Sequence, residues 1–200
     1  MLLGDAPNRR LLNVGASYSR RILVNRIVNW QYNGELTPVA LESDPVEITT
    51  TTLTWTNPTE TITDTVTIPT MGVCQPTSGS GTYANGGPAY VYSSTCGRRW
   101  TVGEAMSPVG FEWNFMPRRK LQPLIIGHGG YMYSSQQIPV DGAGSFNFTF
   151  DVGAGFELFR SPTRSIRAEY RYHHISNDNT AEFNPGIDSG LFQITYSFGR

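Results

Sequence analysis

The C-terminal end of the chain reads SIRAEYRYHHIS over 165–176, NDNTAEFNPGI over 177–187 and DSGLFQITYSF over 188–198. In the first segment apolar or small residues recur at alternate positions from Ile166, and charged residues fill most positions between them. Alternate residues of a β-strand point to opposite faces of its sheet. The last segment repeats this alternation through Phe192 and Ile194. We therefore predict a β-hairpin with one apolar face and one polar face.

Three polar residues interrupt the apolar face of this hairpin. His174 and Ser176 end the first strand on that face, and Asp188 opens the second strand. Serine, histidine and aspartate are the residue types of a serine hydrolase triad. Because a hairpin places the end of one strand beside the start of the next, we expect the three residues to share one edge. On spacing alone, a hydrogen-bonded polar cluster at a strand rim is the alternative interpretation.

The same alternation recurs along the chain, which predicts an all-β protein without helices. Seven amphipathic strands are visible, at about 11–19, 28–41, 100–115, 121–135, 145–159, 165–176 and 188–198. Short turns alternate with longer loops between them, which is typical of outer-membrane barrels and is not required of a soluble β-sandwich. The pattern therefore favours an antiparallel outer-membrane β-barrel.

The strand count adds an expectation about the start of the chain. Single-chain bacterial barrels have an even number of strands and keep both termini in the periplasm. Seven visible strands therefore predict an eight-stranded barrel whose first strand is missing. Residues 1–10 also lack the apolar core of a signal peptide. We expect that a truncated or misassigned start removed both segments.

Composition excludes several other classes of protein. Charged residues make up only 16% of the chain and the formal net charge is -1, which argues against a nucleic-acid partner. No apolar run approaches the roughly 18 residues of a membrane helix.

No zinc motif or metal-ligand cluster is visible, and no cofactor is expected. His128 lies in a glycine-rich strand without a recognisable partner. We expect His173 and most strand charges to face a filled barrel interior, namely Glu35, Glu112, Asp151, Glu157, Arg167, Glu169 and Arg171.

The stretch 44–99 departs from the pattern of the strands. Threonine dominates 49–70 around a turn at Asn57, and glycine, serine and asparagine dominate 78–87. We interpret the stretch as a long extracellular loop, containing a β-hairpin, within a single barrel domain of residues 1–200. It holds both cysteines, Cys74 and Cys96. The pair is compatible with one disulfide in an oxidising compartment, and two free thiols are the alternative.

The sequence HHISNDNTAEFNPGIDS at 173–189 resembles the signature of the outer-membrane lipid A 3-O-deacylases, which are similar to acyloxyacyl hydrolases. The pattern is His-x-Ser-Asn, then an Asn-Pro-Gly loop, then an acidic residue that opens the last strand. The strand FNFTFDVGAG at 146–155 and the turn RRKLQP at 118–123 look similar to a bacterial subgroup of that family. The resemblance implies an eight-stranded barrel with a catalytic site on its lipid-facing surface.

The resemblance also implies an activity and its residues. The protein would be an esterase that removes the 3-position hydroxyacyl chain of lipid A through an acyl-enzyme. His174 would be the base, Ser176 the nucleophile, Asp188 the acid and Asn184 an oxyanion-hole donor. The residues themselves add Asn177 and the backbone around Gly186 as donors from the same loop.

Some features depart from the family pattern. Well-studied members carry glutamate as the acid, so Asp188 is one methylene shorter. The loop at 44–99 is longer than the family needs, and the cysteine pair is not a hallmark of it.

Two other interpretations remain open at this stage. One is a non-enzymatic outer-membrane barrel, an adhesin or structural module that works through its threonine-rich loop. The other is a soluble β-sandwich or lipocalin-like carrier. Lipopolysaccharide is the partner that the enzyme interpretation predicts, and a homodimer is compatible with each of them.

Overall fold

The computed structural model describes residues 8–56, 61–71, 74–84 and 86–199, with the backbone alone for 67–71. These residues form nine strands: β1 Arg10–Val24, β2 Val28–Thr56, β3 Thr61–Met71, β4 Ser78–Thr82, β5 Ala89–Phe115, β6 Leu121–Ser134, β7 Phe146–Ser161, β8 Arg164–Ser176 and β9 Ile187–Phe198. No helix occurs in the described part of the chain, so the all-β prediction is confirmed. Among these residues there is accordingly no helix of the length and apolarity needed to cross a membrane.

All nine strands belong to one antiparallel sheet. The main path runs β1-β2-β5-β6-β7-β8-β9, and β3 and β4 pair with β2 and β5 outside this path. These seven main-path strands are the seven that alternation predicts. The sheet is not closed, and β1 and β9 are its edge strands. Cα atoms of these two edges approach to within 8 Å of each other.

The chain divides into two compact units, residues 1–42 with 101–200 and residues 43–100. The first is called unit 1 and the second unit 2. The expectation that strands end near Leu41 and resume at Trp100 is wrong, because β2 continues to Thr56 and β5 begins at Ala89. Threonine lacks hydrophobic contrast, but its branched Cβ suits extended backbone, so the strands run on where alternation fades.

Unit 2 contains the predicted hairpin. β2 and β3 pair antiparallel from Val46 opposite Met71 to Thr56 opposite Thr61, and the turn predicted at Asn57 lies outside the described residues. The stretch predicted as the glycine-rich loop contains β4, which pairs with β5. A disulfide joins Cys74 to Cys96 across 22 residues of sequence. Closing a loop of this size stabilises a fold by about 3 kcal/mol.

The two faces of the sheet in unit 1 are reversed relative to a soluble protein. Along β8 every second residue is buried, and those residues are Ser165, Arg167, Glu169, Arg171, His173 and Ile175. The face that solvent reaches is apolar on the neighbouring strands, with Phe150 49%, Phe156 55% and Phe192 71% exposed. A sheet that buries charge and exposes phenylalanine has the pattern of a membrane barrel. The soluble sandwich and carrier required the opposite arrangement and are not supported.

Ion pairs hold the buried face together. The Arg171 guanidinium donates to Glu35 at 2.7 and 2.8 Å, to Glu169 at 2.7 Å and to Asp151 at 3.3 Å. Arg167 pairs with Glu112 on the same face. The predicted pairing of inward charges is therefore present, and it connects β2, β5, β7 and β8.

His128 also joins this network, although its sequence neighbours showed no partner. Its Nδ1 lies 2.9 Å from Asp151 Oδ1, and its Nε2 lies 3.3 Å from Asn33 Oδ1. The opposite residue on β5 is Gly110, where an added Cβ would lie 2.2 Å from the imidazole ring. The partners belong to β2 and β7, far away in sequence, which is why the local pattern does not reveal them.

A small apolar core lies on the inner face of the sheet, beside the candidate triad. Its buried members are Ala40, Met132, Ile138, Ile175 and Ile187. Ile175 and Ile187 pair across β8 and β9, directly beside His174 and Asp188 in sequence. The core therefore fixes from the inner side the strand ends that carry the candidate triad on the outer side.

Candidate active site

The register of the C-terminal hairpin brings two members of the predicted triad together. His174 on β8 lies opposite Asp188 on β9. The imidazole Nδ1 lies 2.8 Å from Asp188 Oδ1, with the side chains 15% and 5% exposed respectively. This is the contact by which an acid orients a catalytic histidine and stabilises its protonated form.

Ser176 lies two residues beyond His174 on the same face of β8, next to Phe148 of β7. Its side chain is partly buried, and its hydroxyl forms no hydrogen bond to any other residue in the described ranges. Hydrogen bonds between a nucleophile and its base are often long before substrate binds and shorten in the complex. Ser176 thus shares the face of His174 at a spacing of two residues, and its role as nucleophile stays a prediction.

Tyr172 is a fourth member that sequence reasoning missed. Its hydroxyl donates a hydrogen bond of 2.7 Å to Asp188 Oδ1, the oxygen that also contacts His174. The alternation of the strand could have indicated this residue, because Tyr172 precedes His174 by two residues and lies on the same face. Its cross-strand neighbour is Gly190, so no side chain stands opposite it on β9. The acid is therefore held by two side chains of β8.

The loop from 177 to 186 follows β8 and contains the predicted oxyanion donors. Asn184 Oδ1 accepts a 3.0 Å hydrogen bond from the backbone N–H of Asn177. A backbone N–H can only donate, so the orientation of the Asn184 amide is fixed and its NH₂ group is the donor that remains. Asn184 as an oxyanion donor stays a prediction, supported by this orientation.

The other two predicted donors have different surroundings. The Asn177 side-chain NH₂ already donates to the backbone oxygens of Ala143 and of Phe183, the latter at 2.6 Å. Gly186 is buried and has a φ of 61°, a conformation that favours glycine. Asn177 therefore braces the loop, and the catalytic contribution of both residues stays a prediction.

A second loop supports the first one. Residues 135–145 connect β6 to β7, and their backbone accepts hydrogen bonds from Asn177 through Ala143 and from the Phe183 N–H through Gly142 O at 3.3 Å. Ala143 and Ile138 of this loop are fully buried. Two loops far apart in sequence thus position the residues around Ser176 jointly.

Apolar side chains surround the cluster on the exposed face. Phe150 lies opposite His174 and Phe148 lies opposite Ser176, and they are 49% and 44% exposed. The polar cluster therefore adjoins an apolar surface. Long acyl chains of a substrate ester could lie on this surface while the ester group meets the polar cluster.

The inner face contains the one group of potential metal ligands found in the described residues. Ligand atoms of Glu35, His128 and Asp151 lie within 4.8 Å of one another. The Arg171 guanidinium occupies the same place, with hydrogen bonds to the carboxylates of Glu35 and Asp151 and a 3.1 Å contact to His128 Nδ1. Because the arginine already supplies the positive charge, we assign this group to the structural network.

The fold and the site together define a class of protein. It is an antiparallel β-sheet protein that buries charges, exposes apolar side chains, and has a serine, a histidine and an aspartate at one edge of the exposed face. The family model described as lipid A 3-O-deacylase (PagL) matches residues 50–197, and the chain belongs to this family. The resemblance drawn from 173–189 is thereby confirmed, and the observed all-β sheet fits the barrel fold of the family. Neither a curated protein nor a solved structure matches the chain significantly.

Proposed function

We propose that the chain is an outer-membrane serine esterase that removes the ester-linked hydroxyacyl chain from the 3-position of lipid A. Membership of the lipid A 3-O-deacylase family supports the reaction and the substrate. The observation that carries the residue roles is the 2.8 Å contact between His174 and Asp188 on the exposed apolar face. A non-enzymatic barrel gives no reason for a polar cluster at this place, where its desolvation is costly.

The first half of the reaction forms an acyl-enzyme. His174 Nε2 accepts the proton of Ser176 Oγ as that oxygen attacks the ester carbonyl carbon. Asp188 stabilises the imidazolium through Nδ1. The carbonyl oxygen becomes an oxyanion, and the Asn184 NH₂ group donates a hydrogen bond to it. When the intermediate collapses, the C–O bond to the sugar breaks, and His174 returns its proton to the departing 3-hydroxyl oxygen of lipid A.

The second half restores the serine. His174 takes a proton from water, the resulting hydroxide attacks the acyl carbon, and the Ser176 ester bond breaks. The products are a free 3-hydroxy fatty acid and the regenerated hydroxyl of Ser176. No cofactor enters this balance, since one water supplies both the hydroxyl of the acid and the proton of the serine.

The exposed apolar face explains how the enzyme would meet its substrate. The acyl chains of lipid A already lie in the hydrocarbon of the membrane. A site on a lipid-facing surface therefore reaches the ester by lateral diffusion and does not extract the chain into water. Phe148 and Phe150 would line the path of the acyl chain beside Ser176.

The test is a product analysis with the folded chain in detergent micelles that contain purified lipopolysaccharide. We expect mass spectrometry to show lipid A lighter by one 3-hydroxyacyl group, together with an equal amount of the free 3-hydroxy fatty acid. Lipid A that carries only amide-linked primary chains is the control substrate and should stay unchanged. An unaltered mass of the ester-containing lipid A would show that the chain is not this esterase.

A further inference from the structure

The turns at one end of unit 1 carry an unusual concentration of positive charge. Six exposed basic residues lie at or beside the β1–β2, β5–β6 and β7–β8 turns and are called the basic rim: Arg26, Arg118, Arg119, Lys120, Arg160 and Arg164. Backbone hydrogen bonds confirm that these turns lie at the same end, since the Met116 N–H donates to Ile27 O and the Phe159 N–H donates to Lys120 O.

Within the part of the chain that the structure describes, no side-chain carboxylate balances this charge. The sequence contains no aspartate or glutamate over 20–27, 115–121 or 158–166. The nearest acids, Glu112 and Glu157, are buried and are bonded to Arg167, Asn114 and Ser165 on the inner face. Within the described ranges no residue of the basic rim forms an ion pair with another residue. Because the whole chain has a net charge of -1, the rest of it is correspondingly acidic.

The basic rim borders the apolar surface of the sheet. Exposed apolar residues next to it are Ile22, Leu23, Val24, Ile27, Met116, Leu121, Leu158, Ile166 and Phe198. Cations one or two residues beyond such a surface can lay their aliphatic stems on it and raise their charge to the headgroup region. From residue 164 to residue 174 along β8 the distance is roughly 33 Å at about 3.3 Å per residue. The rim thus lies at the opposite membrane boundary from His174.

We propose that the basic rim binds the phosphate groups of anionic glycerophospholipids, in the leaflet opposite to the one that holds the lipid A substrate. The proposal rests on the membrane insertion that the proposed function assumes, and it does not depend on catalysis. Clustered arginine and lysine beside an apolar surface attract anionic headgroups. A shallow cleft lined by Met116, Leu121 and Pro123 has Arg119 and Lys120 on its wall, which suits an acyl chain beneath a phosphate.

Two tryptophans offer a reporter at the same end. Trp30 and Trp113 stack with ring centroids 6.5 Å apart, close in sequence to Ile27 and Met116. In a Trp55→Phe/Trp100→Phe background, their fluorescence is quenched only by brominated lipids near the rim. The folded chain is reconstituted in vesicles that contain brominated phosphatidylglycerol or brominated phosphatidylcholine. We expect at least about fivefold preference for the anionic lipid, the effect of one well-placed cation, with a weaker preference in high salt.

The variants separate charge from folding. Arg118→Gln/Arg119→Gln/Lys120→Gln should lower the preference for the anionic lipid, whereas the charge-conserving Arg118→Lys/Arg119→Lys/Lys120→Arg should retain it. Equal quenching by both lipids in the unaltered rim, or a preference that the glutamines leave unchanged, would overturn the proposal. Quenching by neither lipid would show that the chain does not insert, which removes the membrane location as well.

The geometry of Asp188 carries a second and independent inference: we infer that Tyr172 is a positioning residue for the triad acid. It rests on the serine esterase assignment. Asp188 has a shorter side chain than the glutamate that the resemblance led us to expect, so its carboxylate depends more on its neighbours for orientation. Tyr172 Oη and His174 Nδ1 contact the same oxygen at 2.7 and 2.8 Å. The tyrosine therefore restrains the carboxylate oxygen that contacts the histidine.

The test measures how fast Ser176 reacts with a fluorophosphonate, a probe that needs an activated serine and no lipid A. Tyr172→Phe should lower the labelling rate about tenfold, the size of a hydrogen bond to a charged group. The matched control Tyr170→Phe removes a hydroxyl from the same face one step further along β8 and should react normally. In an Asp188→Ala background Tyr172→Phe should have no further effect, because its target is gone.

Two outcomes would overturn this role for Tyr172. One is an unchanged labelling rate in Tyr172→Phe, and the other is an equal additional loss in the Asp188→Ala background, which would indicate a general packing effect. A chain that labels at Ser176 but leaves lipid A intact would refute the proposed substrate and leave the role of Tyr172 standing.

Discussion

Replacing Ser176 by alanine is expected to lower the rate of lipid A deacylation by at least about 10³-fold, because the change removes the proposed nucleophile. The change deletes one hydroxyl that makes no hydrogen bond to other described residues, so the fold should be unaffected. The measurement is the initial rate of release of the 3-hydroxy fatty acid from lipopolysaccharide in micelles. Heat-modifiable migration on a gel confirms folding of each variant.

Ser189→Ala is the matched control for this experiment. Ser189 adjoins Asp188 in sequence but pairs with His173, a residue of the inner face. Its loss should leave the rate within about twofold of the unaltered chain, because Ser189 lies on the face opposite to the candidate triad. If Ser176→Ala retained a tenth or more of the activity, the acyl-enzyme on Ser176 would be refuted. A water molecule activated directly by His174 would then be the better account.

Replacing Arg171 by methionine should lower the free energy of unfolding by about 3–5 kcal/mol, the cost of leaving buried charges without their partner. The side chain is 2% exposed and is the cation shared by Glu35, Asp151 and Glu169. Methionine keeps much of the volume and removes the charge, so the effect reports the ion pairs and not a cavity. Urea-induced unfolding of the folded chain in detergent, followed by tryptophan fluorescence, measures it.

Arg10→Met is the control for the arginine, since Arg10 is exposed at the start of β1. It should change the free energy of unfolding by less than about 0.5 kcal/mol. In a second comparison, Glu35→Gln combined with Arg171→Met should cost less than the sum of the single changes, because the two residues share one interaction. A loss of under 1 kcal/mol for Arg171→Met would contradict the view that this network stabilises the interior.

The buried face of the sheet carries the charged side chains, because the exposed face is apolar. In a soluble protein the charges would face water and the phenylalanines would form the core. Here the carboxylates and guanidinium groups are matched across strands, as in the pairing of Arg167 with Glu112 from β8 to β5. Each inward charge therefore depends on partners from other strands, whereas the outward apolar side chains need no such partner.

The predicted loop at 44–99 shows where alternation stops being informative. Periodicity identifies a strand only when the two faces meet different surroundings. Threonine and serine suit either face, so the continuation of β2 to Thr56 and the early start of β5 at Ala89 left no contrast to detect. The hairpin itself was predictable, because two β-branched stretches flank a turn sequence.

Most of the candidate active site could be predicted from the sequence, because its residues belong to one hairpin. A period of two assigns His174, Ser176 and Asp188 to the same face, and consecutive antiparallel strands bring residues 174 and 188 opposite each other. The same local rule separates the apolar face from the charged face along every main-path strand. These properties depend only on neighbours in the chain, so the sequence alone determined them.

The tertiary structure decided what depends on side-chain reach and on strands distant in sequence. It placed the Tyr172 hydroxyl on Asp188, engaged the Asn177 amide with the loop from 135 to 145, and surrounded His128 with partners from β2 and β7. Alternation assigns a residue to a face but says nothing of which atom it meets there. That choice follows from the register of the strands and the packing of the loops, which form only when the whole sheet assembles.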